Sequence, residues 1–257
     1  MIVRPVIEIA LATFREARRN RILYSVLFFA LVILMSSFLV GEVTIHSADR
    51  ILQDIGLGAV HVFGAIIAIF LSVTMVNREI ERRTLYTVIA KPVSRAQFVV
   101  GKAFGVWLTL LVAVLIMGAA LVLEMAFYGA RVESQLFWAL LGVVVQLFIV
   151  AAFGVFTSTF TSPALSAFFC LSFLVLGNTS HDVRFFASKS ASSFVRAAGE
   201  WLYVVLPDLR RLNYSVEATH FLPINTGMLG YSLAYGALWM LCFVAMGVVV
   251  FSRRDLK

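Results

Sequence analysis

Six long apolar runs divide the chain, at residues 22–40, 57–76, 103–123, 136–157, 163–177 and 228–251. A helix needs about 20 apolar residues to cross the hydrocarbon core of a bilayer, and five of the runs meet or approach that length. The fifth run, 163–177, is short; it reaches across only by borrowing 158–162 or where the membrane thins around it. Inside each run the apolar residues continue on all sides instead of alternating. Helices, not barrel strands, are therefore the structures that satisfy the backbone there. The pattern predicts an all-α integral membrane protein with six transmembrane helices, the whole of 1–257 forming one transmembrane domain.

The segments between the runs carry patterns of their own. In 5–19, Val6, Ile7, Ile9, Ala10, Leu11 and Phe14 fall on one side of a helix, and Glu8, Arg15, Glu16, Arg18 and Arg19 on the other. Pro5 suits a first helical position. Such a segment is an amphipathic helix lying along the headgroups, or else a basic flank that only sets topology. The segment 178–224 is the largest polar-side piece, yet it holds Phe185, Phe186, Phe194, Trp201 and Tyr203. A helix from about Ser192 to Val205 dipping into the outer leaflet accounts for these aromatics; a small folded cap accounts for them equally.

Composition strengthens the membrane reading. The chain is 61% hydrophobic and 14% charged, with a mean hydropathy of +0.95, against about 25% charged residues in soluble domains. Charge then orients it. The N-terminus, 77–102, 158–162 and the C-terminal tail hold fourteen Lys and Arg against five Asp and Glu; the other side holds seven against nine. Basic loops stay inside, so both termini are expected in the cytoplasm, with 178–224 extracytoplasmic. Orientation explains the net +7, and no nucleic acid is needed. The first run lacks a following small-residue cleavage site and reads as a retained span. Cys170 and Cys242 lie in apolar runs, and neither a disulfide framework nor a metal-binding spacing is present.

The most highly charged stretch is 77–102. The second span is expected to run on as helix through Glu79, Glu81 and Arg82, with Glu79 spaced to meet Arg82 and Arg83. Leu85, Val88 and Ile89 then form a short apolar stripe. Pro92 breaks that turn, and Ser94-Arg95-Ala96-Gln97 has the capping-box pattern that starts a new helix. Gly101 and Gly105 permit close helix contact beyond it. A surface that docks on a cytoplasmic protein accounts for a stripe bounded by caps and charges; so does a solvated loop that only sets topology.

The stretch from Asn77 to Lys102 resembles the cytoplasmic hairpin of ABC type-2 transporter permeases, through Glu81-Arg82, Thr84-Leu85, Pro92-Val93-Ser94-Arg95 and Gly101-Lys102. Phe14 to Arg21, Leu206-Pro207 with Asn213, and the terminal Phe251 to Lys257 are similar to that family too. The resemblance implies an exporter-like permease subunit in the plasma (bacterial inner) membrane. It implies pairing with a second copy or a related permease, and a separate cytoplasmic P-loop ATPase that carries ATP and Mg. The interface with that ATPase would comprise Glu79, Glu81, Arg82, Thr84, Leu85, Tyr86, Val88, Ile89, Pro92, Ser94 and Arg95, with the 85–90 turn as coupling helix. The 5–19 segment, through Phe14, Arg15, Arg18 and Arg19, would be the elbow helix, and 178–224 the outer gate region. A non-transporting scaffold or maturation factor that uses the same hairpin remains the alternative.

The chain itself lacks the G-x-x-x-x-G-K-[ST] pattern that cradles phosphates: Gly101-Lys102 has no Gly five residues earlier, and Ala103 follows. No cofactor is expected on this chain. Intramembrane enzymes need paired acids, a zinc motif or a Ser/His pair at membrane depth, and none is apparent. Three polar residues are candidates for the transport pathway. Glu124, at the outer end of the third span, is either a substrate contact or an interfacial acid. Gln146, in the middle of the fourth, lines a path or bonds to a neighbouring helix. His61 is a ligand or proton site, or a packed, hydrogen-bonded histidine. His46, His181 and His220 are not spaced as metal ligands, and the eight Met residues are scattered.

Overall fold

Hydrogen bonds closed within one helix satisfy the backbone groups that hydrocarbon leaves unsolvated, and the long runs fold accordingly. The computed structural model describes residues 3–41, 48–81, 94–190 and 192–253, and the regular elements among them are all helical. α1 is Val3–Arg18, α2 Arg21–Gly41, α3 Ala48–Glu81, α4 Arg95–Phe127, α5 Ser134–Ser158, α6 Pro163–Ser188 and α7 Ser193–Val205. A 3-10 turn at Leu209–Leu212 follows, then α8 at Ser215–Thr219 and α9 at Thr226–Arg253. Five segments are long and apolar enough to cross a membrane: Arg50–Thr74 of α3, and the whole of α4, α5, α6 and α9. In α2 the described apolar stretch, Leu23–Met35, is shorter.

α5 sits at the centre, against α3, α4, α6 and α9. It is the most buried of the five, whereas α6 and α9 turn most of their surface outward. Leu71, Leu110, Met117, Leu121, Leu147 and Ile149 form the middle of the core and are almost wholly buried. Phe153 of α5 stacks on Phe173 of α6 at 4.2 Å between ring centroids, and Phe243 of α9 meets both edge-on at 5.2 and 5.5 Å. This aromatic trio joins three long helices.

One element differs clearly from its sequence pattern. The helix that starts at Pro163 does not stop at Gly177 but continues to Ser188. Residues 178–188, the start of the segment read as extracytoplasmic, are therefore helical and continuous with the fifth run. Hydropathy falls sharply at Asn178-Thr179-Ser180, which marks a loop by composition. In the fold these side chains bond back to their own helix: Asn178 Nδ2 donates to the Leu174 carbonyl at 2.9 Å, Thr179 Oγ1 to Val175 at 2.8 Å and Ser180 Oγ to Gly177 at 3.3 Å. No proline interrupts the run, so the helix persists. α7 covers Ser193–Val205, the helix expected within 178–224.

Candidate functional site

Three regions carry the residues singled out by the sequence. The first is the basic end of the bundle, where α4 begins. Ser94 caps α4: its hydroxyl accepts from the Gln97 N–H at 3.2 Å, and the Gln97 side chain accepts from the Ser94 N–H at 2.9 Å. This is the capping box its pattern predicts. Arg95 then donates to the carbonyls of Ser252 at 3.1 Å and Phe251 at 3.5 Å. A guanidinium on the last carbonyls of α9 is a favourable C-terminal cap. Phe98 stacks on Phe251 at 5.6 Å.

α1 lies on the same turns of α4. Gly101 and Gly105 permit this approach: a Cβ on Gly101 would fall 2.8 Å from Ile9, and one on Gly105 2.5 Å from Thr13. Lys102, between them, is buried; its ammonium lies 3.7 Å from the Glu16 carboxylate of α1 and 5.8 Å from the Phe98 ring. Arg15, Arg18 and Arg19 are exposed, and Phe14 is half-buried. Phe14 and Arg18 border a groove of about 190 Å³ between α1, α2 and α4. The apolar side of α1 is thus divided. Ile9, Ala10 and Thr13 face α4, while Ile7 and Leu11 remain exposed. Glu79 and Glu81 belong to the last turns of α3. Arg82, Thr84, Leu85, Tyr86, Val88, Ile89 and Pro92 lie outside the described residues.

The second region is the middle of the bundle. Gln146, almost wholly buried on α5, donates through Nε2 to Asn178 Oδ1 on α6 at 2.7 Å. His61 on α3 lies beside the same side chain. Gln146 therefore joins two helices beside a third, and the structure brings two of the three pathway candidates near each other. Asn178 completes the chain of polar groups. By sequence it falls just beyond the fifth apolar run, at the start of the 178–224 segment, and was not singled out.

The third region is the opposite end. There the 3-10 turn wedges into the bundle, with Leu209 and Leu212 wholly buried. Gly142 of α5 meets the Leu212 carbonyl, and a Cβ on Gly177 of α6 would fall 2.7 Å from Leu209. The turn is fastened from above. Arg211 Nε donates to Asp208 at 3.1 Å and Nη2 to the Tyr203 hydroxyl at 3.1 Å, while the Asp208 N–H donates to the Tyr235 hydroxyl at 2.9 Å. The Tyr203 hydroxyl and then the Asp208 carboxylate hold the Arg211 guanidinium above its usual range, so its charge is permanent. Arg210 pairs with Asp182 at 3.3 Å. Arg184 covers the Tyr203 ring at 4.6 Å.

Glu124 is apart from the His61–Gln146–Asn178 chain. It is buried near the end of α4 and lines a cavity of about 510 Å³ between α4 and α2. A second cavity, of about 600 Å³ and almost purely apolar lining, lies between α4 and α5. Among the described residues no cluster of His, Cys, Asp or Glu is placed to hold a metal ion.

A bundle of long apolar helices, five of them long enough to cross a membrane, with an amphipathic N-terminal helix docked on it, defines a multi-pass membrane protein. Residues 8–256 match the family model described as ABC-2 family transporter protein. That match covers nearly the whole chain, and the chain belongs to this family. It is a multi-pass membrane permease of an ABC transporter, a component that is not itself catalytic. No curated protein matches the chain.

Proposed function

We propose that this chain is the membrane-spanning subunit of an exporter, driven by ATP and Mg bound to a separate cytoplasmic P-loop ATPase. Six spans form its single domain, α2 being the first of them. The termini and the 77–102 hairpin face the cytoplasm of the plasma (bacterial inner) membrane. α1 serves as the elbow helix, and a second copy or a related permease completes the pathway. The observation that carries this reading is the bonding of α1, α4 and α9 into one unit at the basic end, through Glu16–Lys102, the two glycines and Arg95. A push on the hairpin enters α4 at its cap, and these bonds pass it to α1 and α9 together. The hairpin, from Glu79 to Arg95, is the surface assigned to the ATPase.

The test is co-purification of the tagged chain from native membranes. A stoichiometric P-loop ATPase is expected, lost on Leu85→Asp. Glu81→Lys and Arg82→Glu are expected to uncouple transport while the spans stay folded. Variants that retain full ATPase stimulation would remove the hairpin from the coupling role, and absence of any ATPase in gentle detergent would favour the scaffold reading.

A further inference from the structure

The corner between α1 and α2 concentrates positive charge. Arg15, Arg18, Arg19 and Arg21 follow one another closely, and all four are exposed. The acids of α1 do not neutralise them. Glu8 pairs with Arg4 at 3.3 Å, and Glu16 faces the Lys102 ammonium at 3.7 Å. Among the described residues, none of these four guanidinium groups has a carboxylate partner. A basic flank that only orients a span needs no shaped surface beside it. Here there is one.

The arginines stand at the end of the groove between α1, α2 and α4. Phe14 and Arg18 of α1 border it, Leu23 and Leu27 of α2 form a second wall, and Val112 and Ile116 of α4 a third. Leu11, Phe14, Arg15 and Arg18 are spaced to share one stripe of α1, and Leu11 extends that stripe as exposed apolar surface. Thr109 also lines the groove, but its hydroxyl already donates to the Gly105 carbonyl at 2.8 Å. Tyr24 lines it too and is half exposed, as an amphipathic ring at a membrane interface is. The volume of about 190 Å³ is below the roughly 300–1,000 Å³ of sites that enclose a drug-sized ligand. It suits a stretch of one hydrocarbon chain. An apolar slot with guanidinium groups at one end matches a molecule with an anionic head and an apolar tail. A soluble anion would leave the walls uncovered.

We propose that this groove binds one anionic glycerophospholipid from the leaflet at the basic end of the bundle. Its phosphate sits among Arg15, Arg18, Arg19 and Arg21, and part of one acyl chain occupies the groove. Guanidinium groups hold phosphate oxygens through paired N–H bonds, and basic pockets between membrane helices recognise anionic headgroups. The proposal takes from the permease reading only that α2 crosses the membrane. The binding step needs no ATPase.

The experiment uses the full chain, purified in detergent and stripped of lipid, with native mass spectrometry counting the lipid that rebinds. Dioleoylphosphatidylglycerol is compared with dioleoylphosphatidylcholine, which has the same chains and no net charge. Saturable binding of the phosphatidylglycerol is expected, at least about tenfold tighter than that of the phosphatidylcholine. Arg18→Gln should weaken it by about fivefold, the worth of one surface cation toward anionic lipid. Arg18 is exposed, so that variant keeps its fold. Val112→Phe fills the groove without changing charge and should weaken binding as well, with thermal unfolding as its check. Arg253→Gln removes an exposed cation from the end of α9, outside the groove, and should change nothing. Equal affinity for the two lipids overturns the proposal. So does a loss in Arg253→Gln as large as in Arg18→Gln, which would mean diffuse attraction to the basic end. Displacement of the lipid by inorganic phosphate assigns the arginines to a free anion and overturns it too. Unchanged lipid affinity in Arg18→Gln, with loss of the co-purifying ATPase, assigns Arg18 to that partner and also overturns it. Failure of lipid binding with the ATPase still bound leaves the permease reading standing.

Discussion

At the residue scale, the buried charges and amides set the strongest expectations. Lys102 has its ammonium in the packed face between α1 and α4, so the effect of mutation is asymmetric. Glu16→Ala leaves that charge without its carboxylate and should destabilise the chain by about 2 kcal/mol, allowing for the partial exposure of Glu16. Lys102→Met removes the charge itself, keeps the volume and should be nearly neutral. Unfolding in denaturing detergent measures both, and equal losses in the two variants would contradict the buried-charge account. Gln146→Leu breaks the bond to Asn178; polar bonds between membrane helices are worth about 0.6–1.7 kcal/mol, so a loss of about 1 kcal/mol is expected by the same assay. Gly105→Leu sets a side chain against Thr13 and the Ala10 carbonyl. It should dislodge α1, which would appear as protease cleavage near Arg15 and Arg18.

At the element scale, caps and glycines decide where helices start, stop and meet. Ser94 was legible because a Ser-x-x-Gln pattern after a proline has one physical use, to satisfy free N–H groups at a helix start. Ser94→Ala should cost about 1 kcal/mol and raise amide exchange across Gln97 to Gly101; unchanged exchange would mean that the Arg95 and Phe98 contacts alone hold the start of α4. The end of α6 was not legible. The apolar run ends at 177 because polarity begins there, but Asn178, Thr179 and Ser180 bond to their own helix and it continues to Ser188. The face of α1 was half legible. Its amphipathic period predicts one apolar side, whereas the fold divides that side between α4 and the exposed Ile7 and Leu11. No periodicity distinguishes lipid from a protein neighbour, since both are apolar solvents.

At the scale of the whole molecule, the amino-acid sequence alone determined the class of protein. The lengths of the apolar runs, their all-round hydrophobicity and the Lys and Arg bias are local properties. Bilayer thickness and the desolvation of the backbone act on them directly. The same holds for the family resemblance, carried by contiguous residues of the hairpin. What only the tertiary structure decided is which distant residues meet. The juxtaposition of His61, Gln146 and Asn178, the tie of Arg95 to the end of α9, and the seating of Leu209 and Leu212 against α5 and α6 all depend on how helices turn about their axes. A helix that is apolar all round gives no preferred face, so its rotation is set by the small residues and few polar groups of its neighbours. The Glu124 cavity is the plainest case. The acid could be read from the chain, but Leu31 and Met35 became its opposite wall only when α2 packed beside α4.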